Sequence, residues 1–328
     1  MPNLSCRLMK NFMLVILFSI GFSTSFYAQQ APQLSLFTQN SPYLNPALSG
    51  IEGETYALLH YRNQWTSYQG TQGQAGNLGT QILAFSSPLT IPNMGLSAFL
   101  LNDRTPSGAG QIYGFIQPAY HKPVGDGKLS LGLKLGMMRK TLDGTSYSYR
   151  DPNDPFLDPL LNQIASSAAF VPGLGIAYGN ETYQFGLTYD YLTNVFIGSD
   201  PRIQQHSQIQ IHGNYLYFLT NSLDLNPFFL VRYYHGVVLP EAGIRIGLNG
   251  TIWMGGSYRM GDAAIGMIGL NLNNNKISLG YALDYTLVNQ SVKSPLSHEV
   301  FVRFNLPKFE KKVKWLPVKT PRFNYILE

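Results

Sequence analysis

The segment from Ile277 to Leu287 alternates almost without error. Ile277, Leu279, Tyr281, Leu283, Tyr285 and Leu287 fall on one face. Ser278, Gly280, Ala282, Asp284 and Thr286 fall on the other. Successive strand side chains point to opposite sides, so this is one strand with two unlike faces. Leu129, Leu131, Leu133, Leu135 and Met137 repeat the pattern against Ser130, Gly132, Lys134 and Gly136. So do Tyr183, Phe185, Leu187 and Tyr189 against Gln184, Gly186, Thr188 and Asp190. Turn residues separate such runs. The pattern predicts fourteen strands: 54–65, 74–86, 93–102, 110–121, 128–140, 168–178, 182–191, 205–218, 223–234, 240–248, 251–260, 263–273, 276–287 and 297–306. An even count is what a closed antiparallel barrel with both ends on one side requires.

Two solvents fit such strands. A soluble sandwich turns its bulky face to a protein core, and a membrane barrel turns it to lipid. Composition separates them. Charged residues make only 12% of the 328, against roughly 25% in ordinary soluble domains. The small faces carry Gly, Ser, Ala, Asn and Gln where a solvated face would carry Lys, Glu and Thr. The expected fold is therefore an all-β transmembrane antiparallel barrel. Its strands, about ten residues long and tilted, match the height of the outer-membrane apolar band. Its sheet must close because lipid offers the backbone no hydrogen bonds.

The N-terminus agrees. Arg7 and Lys10 precede the apolar run Phe12 to Phe22, and a charged head before a short apolar stretch describes an export signal. Cleavage is expected after Ala28, giving a signal peptide over 1–28. The only cysteine, Cys6, lies inside it, so the mature chain has no disulfide and no thiol chemistry. Residues 29–53 carry Pro32, Asn40, Pro42, Asn45, Pro46 and Gly50 and no clean period; an irregular periplasmic segment is expected there. The barrel follows over 54–306, and 307–328 is a basic periplasmic tail.

Charge argues against nucleic acid. Removal of Arg7 and Lys10 from the 23 basic residues leaves 21 against 18 acidic, or +3. The tail from Lys308 onward holds six basic and two acidic residues, +4, so the body is near −1. The connections set the orientation, since bacterial barrels have short periplasmic turns and long outer loops. The even-numbered connections, such as "KPVGDG", "GNE", "NG" and "NN", are short. The odd ones include 141–167, "LTNVFIGSDPRIQ", "YHGVVLP" and "VNQSVKSPL". Both termini are thus expected in the periplasm, and the Asp/Pro-rich 141–167 loop outside the cell.

Signs of chemistry are few. The six histidines form neither an HExxH nor an HxH pattern. His206 and His212 share a face but stand about 20 Å apart at 3.3 Å per residue. No GxSxG occurs, and adjacent Ser297 and His298 point oppositely. No catalytic residue, metal site or cofactor is expected. Asp151, Asn153, Asp154 and Asp158 cluster in "RDPNDPFLD", which lacks the Gly and the terminal Glu of a calcium loop. Strand parity turns Arg62, Lys134, Asp190, Arg245, Arg259, Asp284, Glu299 and Arg303 inward. With Asn102 and Asp103 at the outer rim, Asp151 and Asp154 in the loop, and His298, most of these are the candidates for lumen or partner contact.

Eleven short segments in order also resemble one family. They are "YLNPALSG", "YRNQW", "MGLSAFLLND", "KLSLGLKLG", "DPNDPFLD", "FGLTYDYL", "LVRYY", "SYRMGDA", "LGYALDYTL", "SHEVFVRF" and "TPRF". Together they are similar to the PorP/SprF membrane proteins of the type IX secretion system of Bacteroidetes, from about residue 31 to the C-terminus. Pro295-Leu296 stands where that family usually has a Gly before Ser-His-Glu. The resemblance implies an outer-membrane barrel needed for export or surface attachment of particular secreted proteins, such as adhesins. It implies two protein partners, the C-terminal domains of those substrates and periplasmic parts of the secretion machine. It carries over no catalytic residue. A diffusion channel or hydrophobic-solute transporter is the alternative function.

Overall fold

The computed structural model describes residues 32–66, 78–104, 109–143, 164–192, 195–197, 207–288, 290 and 294–306. Strands β1 (Thr55–Gln64), β2 (Leu78–Pro88), β3 (Met94–Arg104), β4 (Ala109–Val124) and β5 (Gly127–Asp143) pair in order. They continue with β6 (Ile164–Phe170), β7 (Gly173–Gly179), β8 (Tyr183–Asp190), β9 (Val195–Ile197), β10 (Gln208–Tyr215) and β11 (Tyr217–Phe218). The last six are β12 (Leu223–Tyr234), β13 (Val237–Leu248), β14 (Ile252–Arg259), β15 (Ala263–Leu272), β16 (Ile277–Thr286) and β17 (Leu296–Leu306). All pairings are antiparallel, and β1 closes on β17 from Thr55↔Leu306 to Asn63↔His298.

The seventeen segments make fourteen staves. β6 and β7 both pair with β5 and are one stave broken at Val171-Pro172, where Pro172 has no N–H to give the ladder. β9 continues β8, pairing with β6. β10 and β11 both pair with β12 and are split at the inward-packed Leu216. The expected count of fourteen and the closed barrel therefore hold.

Facing also follows the alternation. Leu131, Leu133, Leu135 and Met137 are exposed, whereas Ser130 and Lys134 are buried. Tyr281, Leu283, Tyr285 and Leu287 point outward, and Ser278, Ala282, Asp284 and Thr286 point in. The exposed apolar band is the lipid face of an outer-membrane barrel.

Two expectations change. "YHGVVLP" is not a long outer loop: β12 and β13 pair up to Tyr234↔Val237, leaving a two-residue turn. His235 and Gly236 both have positive φ (43° and 83°), as a type I′ hairpin requires, and Val237 and Val238 extend the ladder. The second concerns 29–53, expected as a periplasmic lead-in. Its described part, from Pro32, lies inside the barrel. Leu34, Leu36, Phe37 and Leu44 pack in one buried cluster with the inward wall residues Leu58, Phe99, Phe228 and Phe301. The reason is geometric. Eight-stranded barrels fill with their own side chains, while 16–18 strands leave a channel. Fourteen strands enclose more space than these wall side chains occupy, and the segment takes it up.

Candidate functional site: a plugged lumen

The plug consists of short helical turns over Phe37–Gln39, Ser41–Leu44 and Pro46–Leu48. The last turn explains "YLNPALSG". The Asn45 side chain caps it by accepting from the Ala47 N–H at 2.9 Å, Pro46 takes the first helical position, and Gly50 ends it with φ 68°. This is the usual order of cap, Pro and Gly.

The wall makes room by omitting side chains. A Cβ on Gly95 would lie 1.9 Å from Ser49 O, one on Gly132 2.2 Å from Ala47 N, and one on Gly175 2.0 Å from Asn45 Oδ1. Asn45 is fully buried. Its Nδ2 donates to Ile176 O at 3.1 Å and meets His212 Nε2 at 3.1 Å, so that nitrogen accepts. Ser49 Oγ lies 2.7 Å from Ser97 Oγ, Gly50 N donates to Ser86 Oγ at 3.0 Å, and His121 Nε2 meets Ser49 O at 2.9 Å.

Gly95→Ala is expected to dislodge the 45–50 turn, because the clash is with backbone that no rotamer change relieves. Overpacking of this kind costs about 1–3 kcal/mol, against the roughly 0.5–1 kcal/mol by which Ala ordinarily betters Gly in a strand. Limited proteolysis of the folded barrel checks it: the variant should be cut within 45–50 where the parent resists. Equal resistance would contradict the tight seat.

A charged cluster holds the other end of the plug. Glu299 accepts from Ser35 N at 2.8 Å and Leu36 N at 2.6 Å. The same carboxylate meets His60 Nε2 at 2.7 Å and Arg62 Nη1 at 2.8 Å. Arg62 Nη2 reaches Asp284 at 2.8 Å. Ser35 Oγ donates to Asp284 at 2.7 Å and accepts from Arg62 at 2.9 Å and Arg259 at 3.2 Å. Arg259 pairs with Glu241 at 2.8 Å, and Ser257 supports that carboxylate at 2.9 Å. Burial pushes the Tyr43 phenol up, so it stays protonated and donates to Pro32 O at 2.8 Å.

Of the residues singled out in the sequence, Arg62, Arg259, Asp284 and Glu299 meet in this one cluster. Asp190 lies apart, paired with Lys134 at 2.7 Å. Asp103 points inward and accepts from Thr80 at 2.6 Å. Arg245 stacks over Trp253 at 5.5 Å, and Arg303 binds Glu52 and covers Tyr56 at 3.7 Å. Asn102 and His298 are elsewhere: Asn102 is on the outward face beside Gln81, and His298 points outward to the Tyr281 hydroxyl at 2.7 Å. Asp151 and Asp154 lie outside the described residues.

Ser35, His60, Glu241 and His212 were not singled out. Parity carried a signal for two of them: His60 is two residues from Arg62 and Glu241 four from Arg245, each on an inward face.

Comparison with known proteins bears on this geometry. Among solved structures, the TodX deltaS2S3 mutant monoaromatic hydrocarbon channel aligns with a TM-score of 0.51 at 9% identity, covering 81% of this chain and 94% of that one. The CymD monoaromatic hydrocarbon channel aligns at 0.48 and 9%, covering 83% and 94%. At such identities the likeness is one of fold alone. A search of curated proteins gives no match. The family model described as type IX secretion system membrane protein PorP/SprF matches residues 26–304, most of the chain and all of the plug. This outer-membrane barrel belongs to the PorP/SprF family of type IX secretion system membrane proteins.

Proposed function

We propose that the chain is a plugged adaptor of type IX secretion, supporting export or surface attachment of specific secreted proteins by holding their C-terminal domains. The observation that carries the reading is the filled lumen. Residues from Leu34 to Ser49 are almost all buried between the walls and tied by hydrogen bonds at both ends. A barrel closed in this way has its rims, loops and chain ends to offer a partner. Backbone pairing and polar contacts are the modes open to such surfaces. No turnover and no cofactor belong to this role. Periplasmic components of the machine would meet the other rim.

Replacing 144–163 by a short Gly/Ser turn is the test. A variant that still assembles should release a C-terminal-domain protein from the cell surface into the medium, at least several-fold above the parent. Unchanged retention would remove this outer connection from the proposal. Normal export and attachment of every such protein in cells lacking the whole chain would remove the adaptor role itself.

A further inference from the structure

We infer that the lumen holds a carboxylate-binding site centred on Arg232. Beside the plug lies a pocket with about 30 Å³ of free volume, lined by Pro32 and Tyr43 of the plug and by Gln210, Arg232 and the paired Lys134 and Asp190 of the wall. Arg232 is only 6% exposed, and its Nη1 makes no hydrogen bond. Among the described residues it has no ion-pair partner.

The nearby charges are already taken. Asp190 is held by Lys134 at 2.7 Å and by Gln210 Nε2 at 3.0 Å. Glu241 is engaged by Arg259 and Ser257. Asp103, also inward, accepts from Thr80 at 2.6 Å. Arg232 thus has no carboxylate at ion-pair distance, which is costly in a low-dielectric chamber until an anion or ordered water meets it. The free volume exceeds the 10–15 Å³ of probe-occupied space that one water needs. A guanidinium presents a planar fork that suits a carboxylate in two-point contact. One guanidinium matches a monoanionic carboxylate better than a dianionic phosphate. With so little room, only the head group enters and a slim stem must lead out.

Two sources share this chemistry, a free small carboxylic acid and the C-terminal carboxylate of a peptide. The site stands whether or not the chain receives cargo.

The experiment uses the full processed chain in detergent micelles, with propionate and propionamide as probes and ligand-observed NMR as the readout. Saturable propionate binding is expected, with none for the amide. Arg232→Gln should weaken it at least tenfold, and Arg232→Lys less. A peptide with a free C-terminus, set against its C-terminal amide, then tells the sources apart: binding of the acid form alone assigns a chain end, and no peptide binding assigns a free acid. Equal binding of propionate and propionamide, no saturable propionate binding, or full binding by a folded Arg232→Gln variant would overturn the site. If Arg232→Gln does not fold, the comparison of acid and amide on the parent still decides.

Discussion

Removing residues 33–50 should turn an electrically silent barrel into one that conducts steadily across a planar bilayer. The walls do not depend on the plug for closure, since β1 pairs with both β17 and β2 through its own backbone. What the plug supplies is volume. Phe37 packs edge-on against Phe228 at 5.6 Å, and Tyr43 lies against Phe99 at 5.9 Å, so plug rings bridge opposite parts of the wall. Without them the lumen is lined by Arg62, Asp284, Glu299 and Arg259 and admits water. The intact chain should show no steady steps. Equal conductance before and after the deletion would mean that the plug does not close the lumen, and would favour the channel reading of the fold.

The second large effect is on stability. Glu299→Ala should destabilise the folded barrel by about 3–5 kcal/mol, the cost of breaking a buried ion pair from one side. The carboxylate has four donors: Ser35 N, Leu36 N, His60 and Arg62. Removing it takes a partner from all four and leaves Ser35 N, Leu36 N and His60 Nε2 stranded in a site where Glu299 itself has no exposure. Asp284 still holds Arg62 and Ser35, which keeps the effect from spreading to the rest of the cluster. Glu299→Gln keeps one accepting oxygen and should lie between the two. Heat-dependent gel mobility of the detergent-extracted barrel checks the order, parent above Gln above Ala. A Glu299→Ala variant within about 0.5 kcal/mol of the parent, the range of an unremarkable surface change, would mean the cluster does not anchor the plug.

Much of this was legible in strand parity. Once the bulky half of each zigzag is assigned to lipid, Arg62, Lys134, Asp190, Arg245, Arg259, Asp284, Glu299 and Arg303 all turn inward, and the structure finds them there. Parity says which wall a residue faces but not what it meets. Arg62 and Asp284 sit 222 positions apart, and no local pattern announces their pair. The plug was the larger omission. Its residues lack a period because they form neither a strand nor a full helix. Their backbone is satisfied by short local turns and, at the ends, by side chains from distant staves, as Ser35 N is by Glu299. Pro42, Pro46 and Gly50 read as a loop, and a loop is normally placed in water. The wall glycines were visible too, but Gly132 and Gly175 look like ordinary small residues of a lumen until Asn45 to Ala47 are seen against them.

The segment's place in the lumen is best tested by a disulfide. Ser49 and Ser97 have hydroxyl oxygens 2.7 Å apart across the plug–wall contact, and the chain's one cysteine is Cys6. In whole cells, Ser49→Cys combined with Ser97→Cys should cross-link almost completely on mild oxidation, giving a faster-moving band on a non-reducing gel, while each single variant should not. A folded, outer-membrane double variant whose thiols both stay free would contradict a plug seated between the staves.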